Sequence, residues 1–364
     1  FVVGQNESNH LPLIYYGFIS NSYVNYVSFP PNTEEGFIQC VALASNGTAI
    51  FGGMSYTGLY NAPTAYKLFP NSTQATPIKL PGLFSGEIVA ATVLPNNTAV
   101  LVGENFDDSA PLIYTLSPGS LEATSIALPD SSIQGFLNCV AVDSDGTALM
   151  AGFDLFYNQT LIYRLDAQSN ALTAISIPNT GDGSFVDALA IGPDGTAILV
   201  GGNSLSPLVY KISPGSNFAS LIANVTEENG VINAVAIGSD GVAILGGRIG
   251  DSPLIYRLNT KDLEVSSIAI PDQDFGVINA VAIGSDLIAV LVGGFYDNNP
   301  ALYTLSPLET VASKISISSL FPDFYFYGVA TYSPEGLYDI NRLTPYYYNQ
   351  IQETKNILKR SGIR

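Results

Sequence analysis

The chain of 364 residues has no tryptophan, a single histidine and only two cysteines. A Ser-His-Asp triad would have to be built on His10, which lies in the first loop and which we expect to be a surface residue. The sequence has no G-x-S-x-G, H-E-x-x-H or phosphate-loop motif. Histidine-based catalysis is therefore not predicted, and two cysteines over this length argue against a fold held by disulfides.

Basic side chains are also scarce, with 13 Lys and Arg against 31 Asp and Glu, which gives a net charge of −18. A surface that binds nucleic acid needs basic residues to replace counterions, and an anionic membrane surface attracts basic segments. No apolar run reaches the roughly 18 residues that a bilayer-spanning helix needs. We therefore predict no nucleic-acid partner and no membrane insertion.

What the chain does have is a repeat. The phrase GVINAVAIGSD stands at residues 230–240 and again at residues 276–286. Related phrases recur every 46 to 50 residues, a period typical of propeller blades. The seven versions begin at Phe37, Ile88, Phe136, Phe185, Ile232, Ile278 and Phe326.

Each repeat reads as four strands. The first is the small, apolar phrase, which ends in a tight turn such as SNG or SDG, suited to a hairpin. The second is rich in β-branched residues and ends in glycines. The third resembles PLIYTL (111–116), and the fourth resembles ATSIALP (123–129), where proline stops the strand. The fold class predicted is all-β: a seven-bladed β-propeller with four antiparallel strands per blade.

The two ends of the chain complement each other in this pattern. Phe1–Gly4 is typical of a second strand, and third- and fourth-strand segments follow it. The first strand of that blade is supplied by GVATYSPEG (328–336), so N- and C-terminal strands close one blade. We predict a single propeller domain over residues 1–340 and a short C-terminal tail over residues 341–364, which is either a helix lying against the propeller or a tether to something outside the domain.

One position of the repeat carries only small residues, as expected where innermost strands crowd toward a common axis. Its members are Cys40, Ala90, Cys139, Ala188, Ala234, Ala280 and Gly328. The two cysteines lie in blades separated by a third, and packed sheets are roughly 10 Å apart. A disulfide needs Cα atoms within about 7 Å, so we predict buried free thiols.

The Gly-Gly pairs before an aromatic third strand resemble kelch repeats, and VAVDSDG (140–146) is similar to the first strand and turn of NHL-type propellers. Each resemblance covers part of a blade, and no specific family is assigned. The tryptophans of kelch and WD40 blades are absent. Such families imply binding platforms more often than enzymes, although a fold does not fix a function.

The residue before the small position is polar in most repeats, and it is expected to line the mouth of the central channel. A ring of amide and carboxylate oxygens suits Ca²⁺, and it resembles the central metal site of calcium-dependent propeller hydrolases. The alternative is that these side chains tie down the incoming loop through backbone hydrogen bonds. The candidate ligands are Asn138, Asp187, Asn233 and Asn279.

Acids and aromatics are concentrated in the loops of one end of the propeller, which we call the top face. The loops on this face join each blade to the next and the second strand of each blade to its third strand. This pattern favours a basic or cationic partner, whereas the alternative is that the acids only keep the protein soluble. The predicted binding residues are Asp107, Asp108, Asp154, Tyr157, Glu227, Glu228, Asp251, Asp274, Tyr296 and Asp297.

Three further patterns carry smaller predictions. The tyrosine of the third strand recurs in every blade and is expected to pack between blades. N-x-S/T sequons stand at Asn6, Asn46, Asn71, Asn96, Asn158 and Asn224. The segment after Leu343 is the only basic segment of the chain, and its bases are Lys355, Lys359, Arg360 and Arg364. It could therefore dock on an acidic surface, either in the same molecule or, by self-association, on a neighbouring one.

The leading interpretation is a non-enzymatic binding or assembly module, extracellular or on the cell surface. Its acidic, aromatic-rich loop face would meet a protein or a glycan partner, with no cofactor. The alternative is a Ca²⁺-dependent propeller hydrolase or lyase with the metal in the central channel and a top-face carboxylate as base. A lectin with repeated sites is disfavoured by the lack of tryptophan.

Overall fold

Seven antiparallel sheets follow one another along the chain in the computed structural model of the protein. The structure describes residues 2–5, 12–17, 24–31, 33–56, 61–82, 85–143, 145–166, 169–178, 183–203, 206–222, 229–271, 276–295 and 300–314. Every regular element among these residues is a strand. Within each sheet the strands lie in chain order, so each sheet is a simple meander.

The first sheet has three strands and the next three sheets have four each. Sheet 1 contains β1 (Val2–Gln5), β2 (Pro12–Gly17) and β3 (Val24–Tyr26). Sheet 2 contains β4 (Gly36–Leu43), β5 (Ala49–Tyr56), β6 (Asn61–Leu68) and β7 (Thr76–Pro77). Sheet 3 contains β8 (Gly86–Val93), β9 (Ala99–Asn105), β10 (Ala110–Leu116) and β11 (Thr124–Ser125). Sheet 4 contains β12 (Gly135–Val142), β13 (Ala148–Asp154), β14 (Gln159–Asp166) and β15 (Ala171–Ala174).

The last three sheets repeat the four-stranded pattern. Sheet 5 contains β16 (Phe185–Ile191), β17 (Ala197–Gly202), β18 (Pro207–Ile212) and β19 (Ala219–Leu221). Sheet 6 contains β20 (Gly230–Ile237), β21 (Val242–Ile249), β22 (Ser252–Asn259) and β23 (Val265–Ser267). Sheet 7 contains β24 (Gly276–Ile283), β25 (Ala289–Phe295), β26 (Pro300–Leu305) and β27 (Ser313–Lys314).

The sequence predicted this pattern of four strands per repeat, and the structure confirms it. Sheet 1 pairs β1 with β2 and β2 with β3, as expected for a blade that lacks its first strand. The segment predicted to supply that strand, 328–336, and the tail, 341–364, lie outside the described residues. Seven sheets are consistent with seven blades.

The fourth strands are shorter than the sequence suggested. The segment 123–129 was expected to be a strand throughout, but β11 covers only Thr124–Ser125. In several sheets the residue two positions beyond the outermost strand bonds the next sheet instead. Ala269 forms a parallel bridge with Val311, for example, and its amide donates to the Thr310 carbonyl at 2.9 Å. The outer ends of neighbouring sheets are thereby joined.

The hydrophobic core lies between the sheets. Six apolar clusters are present among the described residues, and each is built from two successive sheets. Between sheets 1 and 2, for example, Val27 packs with Ile38 and Phe51, and all three are fully buried. Cys40 and Cys139 are buried thiols that are not joined in a disulfide, as predicted.

Every innermost strand from β4 to β24 contains a β-bulge at the same repeat position. In β12, for instance, the pairing with β13 shifts between Leu137 and Cys139. A bulge leaves one extra residue unpaired and turns its side chain in a new direction. The bulged residues are Gln39, Val89, Asn138, Asp187, Asn233 and Asn279.

The bulges explain a glycine in each second strand. A Cβ added to Gly152 would lie 1.9 Å from the Phe136 carbonyl oxygen, which is closer than any real contact. The same clash, at 1.8 to 2.1 Å, would occur at Gly53, Gly103, Gly201, Gly247 and Gly293. The repeated glycine therefore lets two strands approach where the bulge distorts the first of them.

We expect Gly152→Ala to lower the free energy of unfolding by about 3 kcal/mol, because the added methyl group meets backbone atoms that cannot move aside. Chemical denaturation measures this change. The matched control is Gly119→Ala, where a Cβ meets nothing within 4 Å and the effect should be close to zero. Equal stability of the two variants would show that the glycine is not required by close approach.

Candidate functional site

The top-face hairpin tips are fixed to the sheets around them by backbone hydrogen bonds. In sheets 2, 3, 4 and 6 the tip bonds the lead-in to its own sheet, as when the Leu155 amide donates to the Gln134 carbonyl at 2.7 Å. Three tips also accept a hydrogen bond from the next sheet. The Gly135 amide donates to the Ser109 carbonyl at 2.5 Å, and Gly183 and Gly276 donate to Asn158 and Asp251 at 2.7 and 2.6 Å. The top face is thus a linked surface of short turns.

Large apolar side chains are exposed on the tips of three successive sheets. Tyr56 ends β5 of sheet 2, and Phe106 lies in the β9–β10 turn of sheet 3. The β13–β14 turn of sheet 4 carries three such residues in succession, with Leu155 47%, Phe156 69% and Tyr157 58% exposed. We call these five residues the aromatic sector. The described part of the equivalent tips in sheets 5 and 6 has no aromatic residue.

Asp154 supports the most exposed of these tips. Its side chain is 1% exposed, and its Oδ1 accepts from the amides of Phe156 and Tyr157 at 2.8 and 2.9 Å. The two rings then meet edge to face, with centroids 4.9 Å apart. Asp154, which the sequence suggested as a contact residue, therefore holds the turn in place and is not part of the exposed surface.

The other predicted top-face residues divide into two groups. Asp107, Asp108, Tyr157 and Asp251 are exposed on hairpin tips, where a partner can reach them. The two neighbouring aspartates also shape their turn, since Asp107 Oδ2 accepts from the Ser85 amide at 3.2 Å and Asp108 Oδ1 from the Ala110 amide at 3.1 Å. The remaining five residues lie outside the described part of the chain: Glu227, Glu228, Asp274, Tyr296 and Asp297.

Two glutamates face each other beside the aromatic sector. Glu87 of β8 and Glu104 of β9 are directly paired in the register of sheet 3. Burial raises the pKa of the Glu104 carboxyl, and the charge of Glu87 raises it further. Glu87 is also the acceptor for the Gln39 amide group on the neighbouring sheet. The sequence showed these acids but gave no sign that they are paired.

Basic side chains bind the next sheet at the opposite end of the molecule. The Nζ of Lys67 donates to the Pro118 and Ser120 carbonyls at 2.8 and 2.7 Å, and burial lowers the pKa of this lysine. Arg164, Lys211 and Arg257 occupy the same repeat position as Lys67, directly after the repeated tyrosine. They donate to Ser216, Thr260 and Ser306 carbonyls of the following sheet at 2.8, 2.7 and 3.1 Å. Sequence reasoning missed this set, although its fixed position was a visible signal.

The proposed channel ligands are the bulged residues of their strands. Asn138, Asp187, Asn233 and Asn279 are all half-buried, on the innermost strand of four successive sheets. The Nδ2 of Asn138 donates at 3.2 Å to the carbonyl of Val186, which lies in β16, the innermost strand of the next sheet, and not in the incoming loop. Among the described residues, no three His, Cys, Asp or Glu side chains are grouped so as to hold a metal. Binding by amide oxygens therefore stays a prediction.

The six repeated tyrosines whose side chains the structure describes pack between blades, as predicted; the side chain of Tyr15 lies outside the described part. Tyr66, Tyr114, Tyr163, Tyr210, Tyr256 and Tyr303 are all buried. The Tyr114 hydroxyl donates to the Pro81 carbonyl of the preceding sheet at 3.3 Å, and burial raises the pKa of Tyr114 to about 12.

Two of the sequons follow from turn chemistry. Asn46 Oδ1 accepts from the Thr48 amide at 2.9 Å, and Asn96 does the same with Thr98. Asp145 and Asp194 stand at the same place in the next two sheets and make the same bond. The asparagine of each of these two sequons is thus explained by its role in the hairpin turn.

Comparison with known proteins decides the fold. No family model matches the chain, and no curated protein matches it. The structure of the Dos1 propeller has a TM-score of 0.59 at 12% identity, covering 84% of this chain and 79% of that one. The chain is a β-propeller. Its resemblance to kelch and NHL repeats remains a likeness of motifs.

Two further solved structures have the same fold. Sqt1 from Chaetomium thermophilum has a TM-score of 0.58 at 16% identity, covering 83% of this chain and 76% of that one, and it has also been solved bound to the N-terminus of ribosomal protein L10. Virginiamycin B lyase from Staphylococcus aureus has a TM-score of 0.56 at 13% identity, covering 79% and 86%. The neighbours thus include a protein-binding propeller and a lyase, and at these identities they establish the fold alone. In the described part of the propeller, no helix is long and apolar enough to span a membrane.

We expect Asp154→Ala to lower the free energy of unfolding by about 1–3 kcal/mol, because two turn amides lose their acceptor. The turn should also become sensitive to chymotrypsin at Phe156 and Tyr157. Denaturation and limited proteolysis measure the two effects. Asp154→Asn, which keeps the acceptor oxygen, should retain most of the stability, and an Asn variant as unstable as the Ala variant would contradict this role.

We expect Glu104→Gln to stabilise the protein at pH 7. The raised pKa of Glu104 means that ionising it costs more in the folded protein than in the unfolded chain. This cost is present at neutral pH and disappears as the pH falls below the ordinary pKa of glutamate. Thermal melting at pH 7 and at pH 4 measures the difference, with Glu122→Gln as the control, since Glu122 is exposed and paired with Lys79. A benefit that does not shrink at low pH would contradict the assignment.

Proposed function

We propose that the chain is a binding or assembly module that meets its partner through the aromatic sector. The observation that carries this proposal is the β13–β14 turn, where Leu155, Phe156 and Tyr157 are exposed in succession. Apolar surface of this kind is costly to leave in water unless it is covered by a partner. Aromatic side chains on a fixed turn lose little freedom on binding and are typical of interface hot spots.

The charge around the aromatic sector selects the partner. Asp107, Asp108 and Asp130 are exposed beside it, so a complementary partner presents Lys or Arg together with apolar residues. A protein segment fits this description better than a neutral glycan does. We place the module outside the cell or on its surface, in keeping with its low lysine content and its many Asn, Ser, Thr and Tyr residues.

The second candidate function is a Ca²⁺-dependent hydrolase or lyase. It is favoured by the bulges, which turn Asn138, Asp187, Asn233 and Asn279 away from the ladder on four successive innermost strands. Their oxygens are suitable ligands for a hard cation, and a top-face carboxylate would act as base. Calorimetric titration with Ca²⁺ separates the two functions. If Ca²⁺ gives no heat of binding and does not shift the melting temperature, the Ca²⁺-dependent enzyme is excluded.

Site-specific photo-crosslinking tests the binding proposal. With p-benzoylphenylalanine in place of Phe156, the protein should capture its partner in the cells that produce it. Position 218 is the matched control, because Phe218 is 53% exposed but lies at the opposite end of its sheet, in the turn before β19. Capture at position 156 should fall about tenfold or more when Asp107 and Asp108 are replaced with alanine.

Two results would contradict this proposal. Equal capture at positions 156 and 218 would show that exposure alone determines the reaction. Capture that is unchanged by Asp107→Ala and Asp108→Ala would show that the acidic surroundings do not select the partner.

A further inference from the structure

The aromatic sector has acids beside it but no base among the described residues. Lys67, Arg164, Lys211 and Arg257 donate to carbonyls of the next blade at the lower end. Lys79 pairs with Glu122 at 2.6 Å, at the outer edge of the propeller. The other described bases are Arg248 on blade 6, which donates to the Gly250 carbonyl, and Lys261 and Lys314 in the last two blades.

The rest of the chain's basic charge is gathered in one place. Of the 13 Lys and Arg residues, eight are accounted for above, and the other five lie between residues 342 and 364. Apolar residues are interspersed among them, so this short segment combines the two properties that the aromatic sector would recognise. The bases are Arg342, Lys355, Lys359, Arg360 and Arg364, and the apolar residues include Tyr347, Ile351 and Leu358.

We propose that the segment 343–364 docks on the aromatic sector of its own molecule. This inference rests on the proposed function, because it assigns an occupant to the same surface. Basic side chains would lie against Asp107, Asp108 and Asp130, and apolar ones against Phe156 and Tyr157. Opposite charges favour the contact, and burial of the exposed rings strengthens it.

Two considerations favour docking within one molecule over docking between two copies. The 28 residues from 337 to 364, which follow the strand predicted over residues 328–336, span up to about 90 Å when extended, against a radius of gyration near 21 Å for a domain of this length. A tethered segment also meets its site at an effective concentration of about a millimolar. Two copies, by contrast, each carry a net charge of −18 and repel each other.

The docked segment would act as a built-in competitor for the partner. A partner that uses the same surface can bind only when the segment has left, so its apparent affinity is reduced by the fraction of molecules in the open state. The partner would resemble the segment in chemistry, with basic residues interspersed among apolar ones.

Photo-crosslinking of the purified full chain tests this inference without any partner. With p-benzoylphenylalanine at position 156, irradiation should give a product of monomer size in which position 156 is joined to a peptide from residues 343–364, identified by mass spectrometry. Position 218 should give no such product. A product that lacks the C-terminal peptide, or one joined to the segment of a second copy, would overturn the proposal.

Charge reversal in the segment supplies the matched control. Lys355→Glu with Lys359→Glu should lower the yield of that product about tenfold. The control variant, Lys79→Glu with Lys261→Glu, changes the net charge by the same amount but at exposed residues outside the segment. It should leave the yield of the product unchanged. Equal losses in the two double variants would overturn the proposal, because net charge alone would then explain the result.

The failure of this inference can be told apart from the failure of the proposed function. If the purified chain shows no link between position 156 and the segment, while position 156 still captures a partner in cells, only the docked segment is wrong. If position 156 captures nothing in either experiment, the aromatic sector is not a binding surface and both proposals fail.

Discussion

Apolar packing between neighbouring sheets is the interaction on which the rest of the structure depends. A four-stranded sheet has two faces and cannot bury either of them alone, and here each apolar cluster is formed by two successive sheets. The sheets must therefore approach closely along their whole length. Small residues such as Cys40 and Ala90 permit this at the innermost strands. Gly52 and Gly246 permit it in the second strands, since a Cβ added there would lie 2.4 Å from Ile88 and Ile278 of the next sheet.

The two ends of the propeller use this framework differently. At the lower end, four blades are tied to the next by basic side chains that donate to backbone carbonyls, namely Lys67, Arg164, Lys211 and Arg257. These are four of the chain's 13 bases. At the top end, backbone hydrogen bonds link the hairpin tips to the lead-ins of their own sheets and to the starts of the next sheets, so the side chains of the tips are free to differ from sheet to sheet. Acids and exposed aromatic rings therefore accumulate there, on turns that the framework holds in position.

The sequence was sufficient to predict the strands and their order, because the repeat carries its own local signals. Asn-Gly and Asp-Gly turns, β-branched second strands and prolines after fourth strands each act within a few residues. It was not sufficient for features that depend on contacts between blades. The burial of Asp154, the pairing of Glu87 with Glu104 and the ties made by Lys67 need the register of strands and sheets, and Lys67 reaches residues about fifty positions away. The hydrogen bond from Asn138 to the Val186 carbonyl also joins two blades, at a separation of 48 residues, and could not be predicted for the same reason.

The central claim is that neighbouring blades hold the top-face tips in place, and hydrogen exchange at three glycine amides tests it most directly. Gly135, Gly183 and Gly276 stand at or next to the starts of innermost strands, where an amide would exchange quickly if the tip of the preceding blade were free. Because these amides donate to the carbonyls of Ser109, Asn158 and Asp251, the predicted result is exchange slowed by about a thousandfold or more. Exchange at the rate of an unfolded chain at all three would contradict this explanation of the surface.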